Sequence, residues 1–292
     1  MRSLLILILS VAAISPAALL IRVANVEASP LVIGAYRLSI ASLIVVPVAL
    51  VTAHDKLDAL RRDDLRLLVV SGVCLALHFA FWITSLSYTS VASSVVLVTT
   101  TPLILARMPR RWSSDAVTRR TIIGIAIALV GTAIIAYADA GTGQHGLLGD
   151  ALALLGAAAM AGHRVIGRQL MPKMSLMPYV AVTYPVAAMV LFTGAAASGA
   201  TLAGFSTQAW GAIVLLALGP QIIGHSAANW SLQRLSAVAV STAIMAEPIG
   251  ASVLAAVFLA EWPGVWVIVG GIAVLVGVLI TVSEERATEG RN

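Results

Sequence analysis

The chain has 292 residues, 60% of them hydrophobic and only 11% charged, with a mean hydropathy of +0.99. A soluble domain carries about 25% charge, so this composition excludes a water-soluble protein and puts the chain in lipid. The net charge of +5 reads as a bias of basic residues to one side of a membrane rather than as a nucleic-acid surface, and the single Cys74 excludes a disulfide framework and a zinc site.

A membrane span needs roughly 20 mostly apolar residues. In chain order the candidates in the first half are Ser3–Ile21, Pro30–Thr52, Leu65–Ser85, Val91–Ala106 and Thr121–Ala138. Those in the second half are Leu147–Arg168, Met177–Ala197, Ala209–Trp230, Ala237–Leu259 and Pro263–Val282. The opening stretch, with its basic start, apolar core and small residues, has the look of a signal peptide. It is read as a span, because it is long enough and because Arg22 has an internal counterpart at Arg168.

That counterpart belongs to a repeat. One constant offset carries Ser85-Leu86 onto Ser231-Leu232, Ser90 onto Ser236, Thr101-Pro102 onto Glu247-Pro248, Gly124 onto Gly270, and Leu129-Val130-Gly131 onto Leu275-Val276-Gly277. The chain is one module written twice, over residues 1–138 and 147–282, with a short polar tail at 283–292. With the N-terminus in the cytoplasm, every basic residue except Arg22 and Arg37 falls on the inner side, as the positive-inside bias requires. Both termini are then cytoplasmic. Five spans per module is an odd number, so the second copy lies upside down relative to the first, an arrangement used by transporters. The expected fold class is an all-α polytopic membrane protein: ten transmembrane helices as two inverted five-helix repeats.

Several side chains inside these spans invite a chemical role. In the third span His78 and Trp82 are four apart and share a face. An intramembrane ionisable group is a functional candidate by default, and the competing reading is a neutral histidine bonded to a neighbouring helix. In the fourth span Thr99-Thr100-Thr101 precede Pro102. Their hydroxyls either line a cavity or return a hydrogen bond to the carbonyl that the proline frees. Glu247, the mate of Thr101, stands before Pro248 in the ninth span and is either a coupling-proton carrier or a protonated structural group at a helix break. In the eighth span Gln221, His225, Asn229 and Gln233 form a polar stripe at four-residue spacing, read as facing an inner vestibule. His163 is a cavity candidate, whereas Arg164 beside it is expected to snorkel to the headgroups. Arg37, next to Tyr36 in the second span, either pairs with Glu27 or meets an anionic substrate group such as a carboxylate. Gly124, Gly131, Gly270, Gly271 and Gly277 read as helix-packing positions.

No HExxH, GxSxG or Walker lysine motif occurs, and there is no cluster of metal ligands. An intramembrane enzyme or an ATP-driven pump therefore lacks its parts, and no cofactor, metal or nucleic-acid partner is expected. A membrane scaffold has no need for His78, Glu247 and a polar stripe inside lipid.

These residues resemble the EamA-type branch of the drug/metabolite transporter superfamily. The likeness is carried by YTSVASSVVLVTTTPL at Tyr88–Leu103, by Ala246–Ile280, by SPLVIGAYRLSIAS at Ser29–Ser42 with Arg37, and by Gly149–Leu170 at the start of the second repeat. Two places depart from that pattern: the basic loop Arg107–Asp115 replaces the usual end of the fourth span, and His163 stands where an aromatic is frequent. The resemblance implies a central cavity built from spans three, four, eight and nine, and a secondary transporter of the bacterial inner membrane that exports amino acids, aromatic ones in particular. The alternative on the same fold is export of another metabolite, a drug or a nucleotide-type substrate. The candidate substrate-binding residues are His78, Trp82, Thr99, Thr101, His163, Gln221, His225 and Glu247, with Pro102 and Pro248 as helix breaks. The partners implied are a small molecule and the lipid bilayer; a monomer suffices.

Overall fold

Lipid offers no partner to a backbone N–H or C=O, so a spanning chain must bond its own backbone. The computed structural model meets that constraint with helices alone among the residues it describes, which are 2–89, 91–108, 117–138, 146–259 and 262–289. Ser90, most of the Arg107–Asp115 loop, Ala260, Glu261 and the last three residues lie outside them.

In chain order the helices are α1 (Arg2–Ile14), α2 (Ala17–Ala24), α3 (Pro30–Thr52), α4 (His54–Asp58), α5 (Arg62–Ser85), α6 (Val91–Val98), α7 (Thr101–Ala106), α8 (Arg119–Ala138), α9 (Leu147–Met174) and α10 (Leu176–Ala197). There follow α11 (Thr207–Leu216), a π-helical segment (Ala217–His225), α12 (Ser226–Ser231), α13 (Ala237–Ile244), α14 (Glu247–Leu259) and α15 (Val265–Glu289). Among the described residues, seven helical stretches are long and apolar enough to cross a membrane: Leu5–Ala24, Pro30–Thr52, Arg62–Ser85, Leu176–Ala197, Thr207–Ser231, Ala237–Leu254 and Val265–Glu284. Ser93–Ala106 is a shorter apolar stretch. The expected fifth and sixth segments lie in α8 and α9, which are not among the seven. The final helix runs on through the polar tail to Glu289 rather than ending at Val282.

Three of the apolar stretches are broken rather than straight, and each break has a chemical cause. Pro16 separates α1 from α2, Pro102 stands at the start of α7, and Pro248 at the start of α14. A proline supplies no N–H and leaves the carbonyl four residues earlier without its helical partner. At Pro102 that carbonyl is Val98 O, and the Thr101 hydroxyl donates to it at 2.9 Å. Thr99 and Thr100 donate to Val96 O and Leu97 O in the same way, at 2.9 and 2.6 Å.

The packing repeats itself under the sequence offset. Helix α5 lies along α9, and the corresponding stretch α11 to α12 lies along α1 and α2. Helix α10 also packs on α5, and α3 packs on α11 and the π-segment in the same relation. Two contacts map onto themselves, α3 with α10 and α8 with α15. The α8–α15 seam is built on glycine. A Cβ placed on Gly124 would sit 2.8 Å from Gly277 O, and one on Gly131 would sit 2.6 Å from Gly270 O. Gly270 and Gly277 are the repeat mates of Gly124 and Gly131, so each glycine meets the mate of the other, the signature of a two-fold contact.

These approaches are to backbone, which has little room to yield. Gly131→Ala and Gly270→Ala should each cost about 1–3 kcal/mol through overpacking and lower the melting temperature of the detergent-solubilised protein. Gly211→Ala, where a Cβ meets nothing within 4 Å, should leave it unchanged or raise it, since alanine favours a helix by roughly 0.5–1 kcal/mol. Equal tolerance of all three would contradict a glycine-dependent seam.

Candidate functional site

A cavity with about 580 Å3 of empty space, part of it open at its mouth, lies where the broken helices meet α5, α9 and the π-segment. Part of its wall is built from repeat mates: Ile14 with Met160, Val98 with Ile244, and Thr101 with Glu247. The offset that relates the two halves of the sequence thus runs through the cavity. The polar remainder is not paired in this way. His78 and Trp82 come from the first half, Arg164, His225 and Ser241 from the second.

Of the residues singled out in the sequence, His78, Trp82, Thr99, Thr101, Pro102, His225 and Glu247 lie together on this wall. His78 Nδ1–H donates to Gly156 O at 3.0 Å, a bond made possible by the close approach of α5 and α9 at that glycine. The His78 ring stacks on Trp82, with centroids 5.8 Å apart and planes 16° apart. Thr101 also reaches Ala157 O at 3.4 Å. Glu247 is only partly buried. Pro248 follows it at the start of α14 and is not among the lining residues.

His163, Gln221, Arg37 and Tyr36 are placed elsewhere. His163 is buried against α5 and α10, its Nδ1 at 2.9 Å from Ser71 Oγ, which is itself 2.6 Å from the Tyr179 hydroxyl. Tyr36 donates to Leu202 O at 2.7 Å and packs edge-on against Phe192 and Trp210. Arg37 is fully buried. Its Nε–H donates to Gln221 Oε1 at 2.9 Å and its guanidinium lies 4.3 Å over the Phe79 ring, a cation–π contact. Phe79 in turn meets His225 edge-on.

Three expectations are corrected. Arg164 does not snorkel to the headgroups: it is 1% exposed, and its Nη1–H donates to Asn229 Oδ1 at 3.1 Å. Depth and neighbours decide whether a long side chain can reach water, and α9 is enclosed here by α5, α6 and α12. Arg37 does not pair with Glu27, whose carboxylate instead accepts from the Ser206 N–H at 2.7 Å and the Ser206 hydroxyl at 2.6 Å. The stripe Gln221–His225–Asn229 does not face one vestibule. The π-segment has a wider turn than the α-helix, so residues four apart fan out. Gln221 is buried on Arg37, His225 faces the cavity, and Asn229 is buried on Arg164.

Ile14, Met160, Val98 and Ile244 also line the cavity and were not singled out in the sequence, because an aliphatic residue in an apolar helix carries no local signal. The repeat offset would have found them, since it pairs each with another member of the wall.

The fold and its internal cavity, with a few polar side chains on an apolar wall, define a polytopic helical membrane protein with an internal site. A model of the EamA-like transporter family matches residues 1–137 and again 147–283. The chain is 24% identical over 260 residues, 86% of its length and 84% of the other's, to the "Uncharacterized transporter YyaM" of Bacillus subtilis (strain 168). A solved crystal structure, 16% identical and covered to 99% in both chains, shares the fold with a TM-score of 0.82. The chain belongs to the EamA-like transporter family of the drug/metabolite transporter superfamily and is a multi-pass membrane transporter.

Glu27 lies between α2 and α3, outside the spans, and ties that loop to the loop before α11. The two hydrogen bonds from Ser206 hold its carboxyl below the usual carboxylate range. A depressed carboxylate contributes while it is ionised, so the tie is complete above the ordinary carboxylate pKa and is lost as pH falls through the lowered value. Amide exchange at residues 200–206, corrected for its intrinsic pH dependence, should rise as pH falls below the ordinary carboxylate range. Glu27→Ala should show the raised exchange already at neutral pH; identical exchange in both proteins would contradict the tie.

Proposed function

We propose that the protein exports amino acids, aromatic ones in particular, from the cytoplasm across a bacterial inner membrane, by alternating access to the cavity between its two halves. In this reading the chain forms ten spans as two inverted five-helix repeats, with both termini cytoplasmic. The family model matching twice, the two-fold glycine seam and the bias of basic residues to one side support that topology. The observation that carries the function is the cavity wall: repeat mates from the broken helices, joined by the His78–Trp82 stack and by Glu247. Two like halves that exchange conformations around a shared site open it first to one side and then to the other. The broken helices are where such a change is cheapest, because their backbone bonding is already interrupted. The stacked imidazole and indole offer a flat surface to a ring, and Glu247 is the lining carboxylate able to carry a proton.

The test is flux from liposomes holding the purified protein, preloaded in turn with each common amino acid, with and without a pH gradient. Tryptophan, phenylalanine and tyrosine should leave selectively and should leave faster with the gradient. Glu247→Gln should abolish the acceleration and retain downhill flux. Acceleration surviving that substitution at every pH would remove the proton from Glu247. If no amino acid moves, the cargo assignment fails and the panel widens to other metabolites, drugs and nucleotides.

A further inference from the structure

We propose that Arg164 is the anchor that holds a carboxylate group of the cargo inside the cavity. The proposal rests on the amino-acid reading above for the identity of the cargo but makes a separate claim about one side chain.

Arg164 is a cation on the cavity wall and is almost wholly withdrawn from solvent. Taking a guanidinium out of water costs several kcal/mol unless it is paired and its donors are bonded. Among the described residues no carboxylate forms an ion pair with it. Asn229 accepts from one terminal nitrogen, and the Nε–H has no hydrogen-bond partner. Arg164 therefore brings to the cavity an uncompensated positive charge and unused donors in the planar arrangement that matches a carboxylate.

The repeat sharpens the assignment. The position related to Arg164 by the offset is Ala18, so the architecture does not require a long or charged side chain at this level of the helix. The cation is an addition made by one half only, as expected of a group that faces a chemically lopsided ligand. Its surroundings fit the remainder of such a ligand. Arg164 shares the cavity wall with His78, whose ring stacks on Trp82. A molecule with a carboxylate on Arg164 would have its ring within reach of that stack.

The experiment compares three probes with the same ring, by titration calorimetry on the purified full-length protein. They are L-phenylalanine, 3-phenylpropionate, which lacks the amine, and 2-phenylethylamine, which lacks the carboxylate. The wild type should bind both carboxylates and bind the amine roughly tenfold more weakly or worse, the scale of one charge-assisted pair. Arg164→Gln should bring 3-phenylpropionate down to the level of the amine, and Arg164→Lys, which keeps the charge but loses the fork, should fall between. The proposal is overturned if the wild type binds the amine as tightly as 3-phenylpropionate, if neither carboxylate binds, or if Arg164→Gln keeps the wild-type ranking. If that variant does not fold, the wild-type ranking decides alone. Arg164-dependent binding of 3-phenylpropionate without any flux of phenylalanine would sink the amino-acid reading and leave the anchor standing. Phenylalanine flux and binding that are unchanged in Arg164→Gln would do the reverse.

Discussion

Among the described residues two guanidinium groups lie buried in the bundle, and one irregular helix holds both. Gln221 accepts from Arg37 and Asn229 accepts from Arg164, and both carboxamides are carried by the stretch from the π-segment into α12. A buried cation with no counter-charge that also lost its hydrogen-bond acceptor would be more costly still, so the packing of α3 and α9 against this stretch is not interchangeable with that of any apolar helix. Pro220 lies inside the π-segment and removes a backbone donor there. The wide turn of this segment is what allows residues at even spacing to serve two arginines and, through His225, the cavity.

The second organising constraint is backbone bonding in lipid. Breaks near Pro16, Pro102 and Pro248 are tolerated where a hydroxyl or another chain segment satisfies the freed carbonyl, as Thr101 does for Val98 O. Its mate Glu247 occupies the same place relative to its proline, and both line the cavity. One half thus spends a hydroxyl on backbone repair where the other presents a carboxyl to the interior. The scaffold is nearly symmetric and its chemistry is not, as a site for a polar, asymmetric small molecule within a two-fold frame requires.

Much of this was legible in the sequence, for a definite reason. Hydropathy located the helices because lipid imposes a minimum apolar length, and the repeat offset placed Gly124, Gly131, Gly270 and Gly277 on helix-packing positions because small residues are the means of close approach. Spacing alone brought His78 to Trp82. What was not legible depended on depth and on the third dimension. Arg164 read as a snorkelling side chain because the sequence does not say that neighbouring helices enclose α9. The Gln221–His225–Asn229 stripe was read with an α-helical turn, and the π-segment altered its direction. Glu27 lay near Arg37 in sequence, but its partner Ser206 comes from the other half of the chain, beyond any local pattern.

The central claim is that the cavity is where the cargo sits. It is tested most directly by thiol labelling of Val98→Cys, a small lining position, in a Cys74→Ala background reconstituted in vesicles. A membrane-impermeant thiol reagent should modify the introduced cysteine, and the molecule that the vesicles transport should slow that modification in proportion to its occupancy. Transport with a labelling rate that the cargo does not change would place the cargo path elsewhere and contradict the account.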